Sequence, residues 1–154
     1  MSAYGTYIEA NAYFANRLHV LAWDEAASTQ KTIALAESTS RIDRLRFSGL
    51  QVEEDQDLEF PRYYGDDPDG TEVIPDEIQN ACFELAYVLL DGVDPDLEFE
   101  NLGLASQRYS SVGLTNQPNV SLDHISAGIP SASAWRFLRP FLADSKGIQL
   151  NRVT

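Results

Sequence analysis

The sequence predicts a mainly α-helical protein: a small bundle of about four helices around a central apolar helix over residues 75–91. A β-hairpin or extended excursion over 93–129 is expected between the last two helices, and an extended C-terminal tail over 144–154. Three observations lead there. A capping signature opens an apolar helical repeat near the N-terminus, residues 78–90 are apolar almost all round, and the helical period is lost after Gly92. The 154 residues suit one domain, with its helical core over about 6–92 and 130–143. A chain of this length buries roughly 68–70% of its unfolded surface.

Thr6-Tyr-Ile-Glu9 reads as a capping box, in which hydroxyl and carboxylate satisfy free amides at a helix start. Ala10, Phe14, Leu18 and Leu21 follow at helical spacing, so the first helix is expected from about Tyr7 to His19, with Trp23 anchoring a short helical turn. A second helix is expected from Thr29 or Gln30 to Leu45. Its Leu35, Thr39, Ile42 and Leu45 line is mostly apolar and its Ile33, Ala36, Ser40 and Asp43 line is not, so one side should be exposed. Gly49 is a plausible stop, because glycine adopts the left-handed cap conformation without penalty.

Residues 50–74 read as a long acidic loop broken by Pro61, Gly65, Pro68 and Gly70 and pinned to the body by Phe60, Tyr63 and Tyr64. Pro75 then sits at a first helical position, and Asp76 and Glu77 suit the positive end of the helix dipole. From Ile78 to Leu90 this helix has no wide polar face, so it should be central. Tyr109 to Leu114 and Val120 to Leu122 lean toward β structure around an Asn116-Gln-Pro118-Asn turn. Pro130 opens the last helix, from Ser131 to about Leu142, which Pro140 must kink or shorten.

The charge is lopsided. There are 24 acidic residues against 11 basic ones, a net −13. From Glu53 to Glu100 seventeen acids face a single base, Arg62, while Arg41, Arg44, Arg46, Arg136 and Arg139 cluster elsewhere. Binding to nucleic acid rests on Lys and Arg neutralising phosphates, so this balance disfavours a sequence-reading DNA binder, and attachment to an anionic membrane with it. The acidic stretch is either a solvated face or a surface that must slide past a polyanion. For the arginine cluster, salt bridges to the acidic loop compete with an inter-subunit or partner contact.

Little in the chain points to catalysis. Cys82 is the lone cysteine, so no internal disulfide is expected. It lies in the most apolar helix and reads as a buried structural thiol. His19 and His124 lack companions at ligand spacing, and no metal or other cofactor is expected. The Asp66-Asp-Pro-Asp69-Gly70 stretch fails as a calcium loop. With Gly70 as the loop glycine, Gly65 occupies the first ligand position, Asp76 replaces the terminal Glu, and Pro68 interrupts the loop. No phosphate loop, nucleophile elbow or zinc helix is present, and no enzyme is expected. Neither a signal peptide nor a membrane span is legible, so the chain reads as soluble and made inside a cell.

The run Tyr7-Ile-Glu-Ala-Asn-Ala-Tyr13-Phe14, continued by Arg17, Leu18 and Trp23-Asp24, resembles the opening of a phage family labelled DnaT-like single-stranded DNA binding protein. The resemblance runs on through Ala34-Leu-Ala36, Ser40-Arg41-Ile42-Asp43-Arg44-Leu45, Gly49 and Phe60-Pro61-Arg62. It then takes in Ile74-Pro75-Asp76-Glu77-Ile78, Ala81-Cys82, Glu84-Leu85-Ala86 and Leu138-Arg139-Pro140. It covers most of the chain outside 94–130.

Proteins similar to this act as head–tail adaptors, also called connectors. The resemblance implies a ring, usually dodecameric, beneath the portal protein at the head–tail junction of the virion, built from subunits made in the host cytoplasm. A stopper, terminator or other tail protein would follow below, and double-stranded DNA would pass through without sequence-specific binding. The C-terminal tail would dock on the portal, which singles out Ile148, Leu150, Arg152 and Val153; a frayed terminus is the alternative. Carboxylates facing the channel would keep phosphates from sticking, and the candidates are Glu53, Glu54, Asp55, Asp66, Asp67, Asp69, Asp94, Asp96 and Glu98. Arg41, Arg44 and Arg46 are the inter-subunit candidates. The alternative function is that of the label, single-stranded DNA binding in replication, which wants a basic groove with stacking aromatics such as Tyr63, Tyr64 and Tyr109.

Overall fold

The computed structural model of the chain describes residues 2–64, 73–112 and 123–143, with the backbone alone at 103 and over 105–112. The described residues form a mainly helical bundle with one small antiparallel hairpin. The elements run α1 (Tyr7–Phe14), α2 (Leu21–Glu25), α3 (Ser28–Ile42), β1 (Leu50–Gln51), β2 (Arg62–Tyr63), α4 (Asp76–Leu90), α5 (Pro95–Val112), α6 (Asp123–Ser126) and α7 (Ala132–Leu138). A 3-10 turn, Arg139–Phe141, follows α7.

The bundle is organised on α4, which packs against α1, α2, α3 and α7. Ile78, Ala81, Cys82, Phe83, Leu85 and Ala86 are all buried along it, as expected of a helix without a polar face. On α3, Leu35, Thr39 and Ile42 are buried while Ile33 and Ser40 are exposed, so the mostly apolar line faces the core.

The capping box at α1 forms as read. The Thr6 amide donates to Glu9 Oε2 at 2.7 Å, and the Glu9 amide donates to Thr6 Oγ1 at 3.3 Å. The helix stops at Phe14, however, not at His19. The chain turns after Ala15, His19 takes a left-handed conformation (φ 62°), and the Tyr87 hydroxyl donates to its carbonyl at 2.8 Å. Leu18 and Leu21, placed by periodicity on the apolar face, are therefore 80% and 66% exposed. The redirected chain buries Trp23 instead, with its ring 4.9 Å from Phe14 and its Nε1 donating to Asn11 Oδ1 at 2.9 Å.

Gly49 is not the stop of α3, which ends at Ile42 with Asp43 as its cap. Its φ of +77° opens β1, and a Cβ there would lie 2.5 Å from the Tyr63 carbonyl oxygen. Only glycine lets β1 approach β2 so closely. Leu50 pairs with Tyr63 and Gln51 with Arg62.

The largest departure from the sequence reading lies after α4. The hairpin expected over 93–129 is replaced over Pro95–Val112 by α5, and Asp123–Ser126 adds a helical turn, α6; residues 113–122 lie outside the described residues. The Asp94 side chain accepts from the Asp96 amide at 3.0 Å, with Pro95 at the first helical position. Pro75, expected at the first helical position of α4, is instead its N-cap and makes no side-chain cap bond. Among the described side chains of α5, Leu97, Phe99 and Leu104 are all exposed, so no apolar period marks the helix in the sequence. At the other end, Ser131 caps α7 by accepting from the Ala134 amide, and Pro140 limits the continuation to a 3-10 turn.

Candidate functional site

Two aromatic clusters hold the two ends of α3, and each encloses a carboxylate. At the N-terminal end Tyr13, Phe14, Trp23, Phe83 and Tyr87 pack together, and Lys31 of α3 lies 5.1 Å over the Trp23 ring. Glu84, only 3% exposed, sits here on α4, receiving the Tyr13 hydroxyl at 2.7 Å and an ion pair from Arg17. The Arg17 guanidinium also lies over the Phe14 and Tyr87 rings at 5.8 and 5.6 Å. Burial, then the bond to Glu84, pushes the Tyr13 phenol up to about 12. Glu84 belonged to the acidic stretch read as surface. Its one signal in the sequence was its solitude as the only charge between Ile78 and Leu90.

At the C-terminal end the fully buried Tyr4 donates its hydroxyl to Asp43 and accepts from the Phe60 amide at 3.2 Å. Phe60 packs edge to face on the Tyr4 ring, and Phe47 and Phe141 pack edge to face on Phe60. Burial raises the Asp43 carboxyl above its ordinary range, opposed by the bond from Tyr4, and burial likewise raises the Tyr4 phenol. Nearby, Cys82 is buried against Thr39 and the Leu35 carbonyl, and burial pushes its thiol up to about 11, an unreactive state at neutral pH.

The sequence-predicted site residues are distributed as follows. Arg41 is half-buried and pairs with Glu37 at 3.1 Å, one turn earlier on α3. Arg44 and Arg46 are exposed just beyond the helix. Glu53, Glu54 and Asp55 are exposed at the tip between β1 and β2, a turn built by Gln56, whose side chain accepts from the Glu53 amide and donates to the Leu58 and Pro61 carbonyls. Asp94 and Asp96 are exposed and Glu98 half-buried at the start of α5. The described acidic candidates thus fall on two separate elements. Asp66, Asp67 and Asp69, and Ile148, Leu150, Arg152 and Val153 in the tail, lie outside the described residues.

Tyr63 is half-buried and Tyr64 packs 6.5 Å from Phe141, while for Tyr109 only the helical backbone is described. Arg62 beside them is engaged with Glu59 at 2.6 Å and with the Ser48 and Gly49 carbonyls. An open groove of about 640 Å³ runs between residues 3–9 and α3, floored by Leu35, Ala36 and Ile74 and rimmed by exposed Ile8 and Ile33. Its chemistry suits apolar side chains. Among the described residues no three His, Cys, Asp or Glu side chains gather as a metal site, and no helix is long and apolar enough to cross a membrane.

Fold and site together define a small acidic helical-bundle protein whose exposed features are charged and apolar surfaces. The family described as "Putative DnaT-like ssDNA binding protein" matches residues 1–108, and the chain belongs to that family. No curated protein and no solved structure matches the chain.

Proposed function

We propose that this chain is a non-catalytic subunit of the connector ring that joins the head of a tailed bacteriophage to its tail. The observation that carries the reading is the sign and placement of charge. Exposed carboxylates crown the β1–β2 tip and the start of α5, while Arg17, Arg41 and Arg62 are each tied to a carboxylate. A channel through which double-stranded DNA slides must not hold phosphates, and acids within about 8 Å of the passing backbone would prevent it at physiological salt. In this reading the portal is the upstream partner, a stopper, terminator or other tail protein lies downstream, and the tail residues Ile148, Leu150, Arg152 and Val153 dock on the portal.

The test is co-sedimentation with purified portal rings, comparing the full chain with one truncated after Asp144. Binding that is lost on truncation supports both the role and the docking segment. Failure of the full chain to bind removes the connector role. In a second arm, Glu53, Glu54 and Asp55 are reversed to Lys in assembled particles, and DNA ejection is expected to slow; ejection at the normal rate would sink the channel argument.

The family description favours a second reading, single-stranded DNA binding. Net charge −13 opposes it, because stacking aromatics work beside a basic groove. A gel shift at low micromolar protein that weakens with salt would restore it.

A further inference from the structure

Two concavities meet on the exposed side of α3. The apolar groove beside residues 3–9 has Ala36 in its floor. A second concavity, of about 650 Å³, also takes Ala36 as a wall and continues along Thr39 and Ser40 to Asp43, Arg44 and Asp57. Together they form one trough along the Ile33, Ala36, Ser40 and Asp43 line of the helix. Residues 4–11 run antiparallel beside it, from the Tyr4 amide on Thr39 Oγ1 at 3.1 Å to Asn11 Oδ1 at the Lys31 amine at 3.2 Å. Glu9 therefore lies toward the far end of the groove. The trough is acidic at the near end, where exposed Asp57 outnumbers Arg44 with Asp43, apolar at Ala36 and Ile33, and acidic again at exposed Glu9.

The chain arrives at the near end of this trough. The Ala143 amide donates to the Arg46 carbonyl at 2.9 Å, just past Arg44. In the segment that follows, Lys146, Ile148, Leu150 and Arg152 occupy alternate positions. Alternate residues of an extended chain share one face.

We propose that residues 144–152 lie extended in this trough of their own chain, with Ile148 and Leu150 in the apolar groove, Lys146 beside Asp57 and Arg152 beside Glu9. The reach suffices: Ile148 can lie up to about 17 Å from Ala143 in a fully extended chain, and Ala36 precedes Asp43 by about 10 Å of helix. The basic, apolar, basic order of the segment matches the acidic, apolar, acidic order of the trough, and Asp144 passes Arg44 on the way. Among the described residues neither Glu9 nor Asp57 has an ion-pair partner. Tethering raises the effective concentration of the segment to the millimolar range, so a modest apolar contact holds it where a separate peptide would need tighter binding. The inference rests on the connector reading for its consequence alone. Ile148, Leu150 and Arg152 are residues which that reading gives to the portal, so the docked segment is withheld until a portal surface competes for it.

The experiment is paramagnetic broadening in the NMR spectrum of the full chain, with a nitroxide on Asn151→Cys. Cys82 is buried with an unreactive thiol and stays unlabelled, which mass spectrometry checks. The amides of Ile8, Glu9, Ile33 and Ala36 are expected to lose most of their intensity. Those of Leu89 and Leu90, at the end of α4 away from Gln79, are expected to keep theirs. Ile33→Asp puts a charge on the groove rim at a position 66% exposed and is expected to restore the lost intensity, with circular dichroism checking that the variant remains folded. Lys146→Glu/Arg152→Glu is expected to restore part of it.

Groove amides that keep their intensity, or a loss that survives Ile33→Asp, would overturn the proposal. So would the same loss in isotope-labelled chains without nitroxide mixed with spin-labelled chains, which would assign the groove to the segment of a second copy. Broadening as expected in a chain that fails to co-sediment with portal rings would remove the connector reading and leave the docked segment standing. Portal binding without broadening would do the reverse. Where both hold, Ile33→Asp is expected to bind portal rings more tightly, by the factor by which docking had withheld the segment.

Discussion

The two ends of α3 each bury a carboxylate among aromatic rings, but they neutralise it differently. Glu84 meets a cation: Arg17 pairs with it and Tyr13 donates to it. Asp43 meets the Tyr4 hydroxyl and, among the described residues, no ion-pair partner. Around Asp43 desolvation favours the neutral acid, and the hydrogen bond from the Tyr4 phenol offsets that only in part. The Asp43 carboxyl is accordingly raised. The end that carries the ion pair joins α1 and α2 to the central helix, and the other fastens residues 2–4 and the 43–64 segment to it.

The strongest way to break this comparison is to remove the ring at the centre of the hairpin-end cluster. Phe60, 2% exposed and in edge contact with Tyr4, Phe47 and Phe141, should cost about 3–5 kcal/mol of unfolding free energy as Phe60→Ala. A loss below about 1 kcal/mol in urea titration would mean that the 43–64 segment is not fastened through this ring. At the opposite end, Arg17→Ala strands Glu84 and should cost about 2–3 kcal/mol, less than a fully buried pair because the Arg17 side chain is 34% exposed. Restoring stability with the further change Glu84→Leu would show that the loss was the penalty of an unpaired charge and not of lost packing. Tyr4→Phe is milder. It removes one hydroxyl from Asp43 and from the Phe60 amide, for about 1–2 kcal/mol by the same titration.

Two pH profiles sharpen the contrast further. A carboxyl raised by folding gives stability that is present below its unfolded value and lost as pH rises through its folded value. Wild type should therefore gain on Asp43→Asn as pH is lowered toward 3.8 and fall behind as pH rises through the raised value. Parallel curves for the two proteins would contradict the buried environment assigned to Asp43. Phenols raised by folding act at the other extreme. The unfolded Tyr13 ionises near 10 and the folded one near 12, so stability present below pH 10 is lost between these values. Tyr13→Phe should flatten part of that alkaline loss, with Tyr4 and Tyr64, both raised in the same direction by burial, contributing to the rest.

Several elements were legible residue by residue. Thr6 and Glu9 marked the start of α1, the run from Ile78 to Ala86 marked the buried helix, Leu35, Thr39 and Ile42 marked the inner side of α3, and Pro140 marked the end of α7. Each is a local signal, set by hydrogen bonds within one turn or by a repeat along one helix. Helix α5 was not legible as such, although Asp94, Pro95 and Asp96 spelled a helix start, because its exposed Leu97 and Phe99 make no core-facing stripe. Of the candidate site, the arginines and acids were countable in the sequence; that the described acidic candidates fall on two separate elements, the β1–β2 tip and the start of α5, was not.

The sequence by itself determined the mainly helical class, the central place of α4, the inert thiol of Cys82 and the net charge, since all of these follow from residue type and short-range spacing. Only the tertiary structure decided that Glu84 is an interior charge, that Leu18 and Leu21 face outward, and that the end of α7 returns to the segment after α3, where the Ala143 amide donates to the Arg46 carbonyl. Those outcomes depend on where the chain reverses. A left-handed residue at His19 and a bridge between Phe47 and Leu142 set the reversals, and they are stabilised by partners distant in sequence that no local pattern specifies.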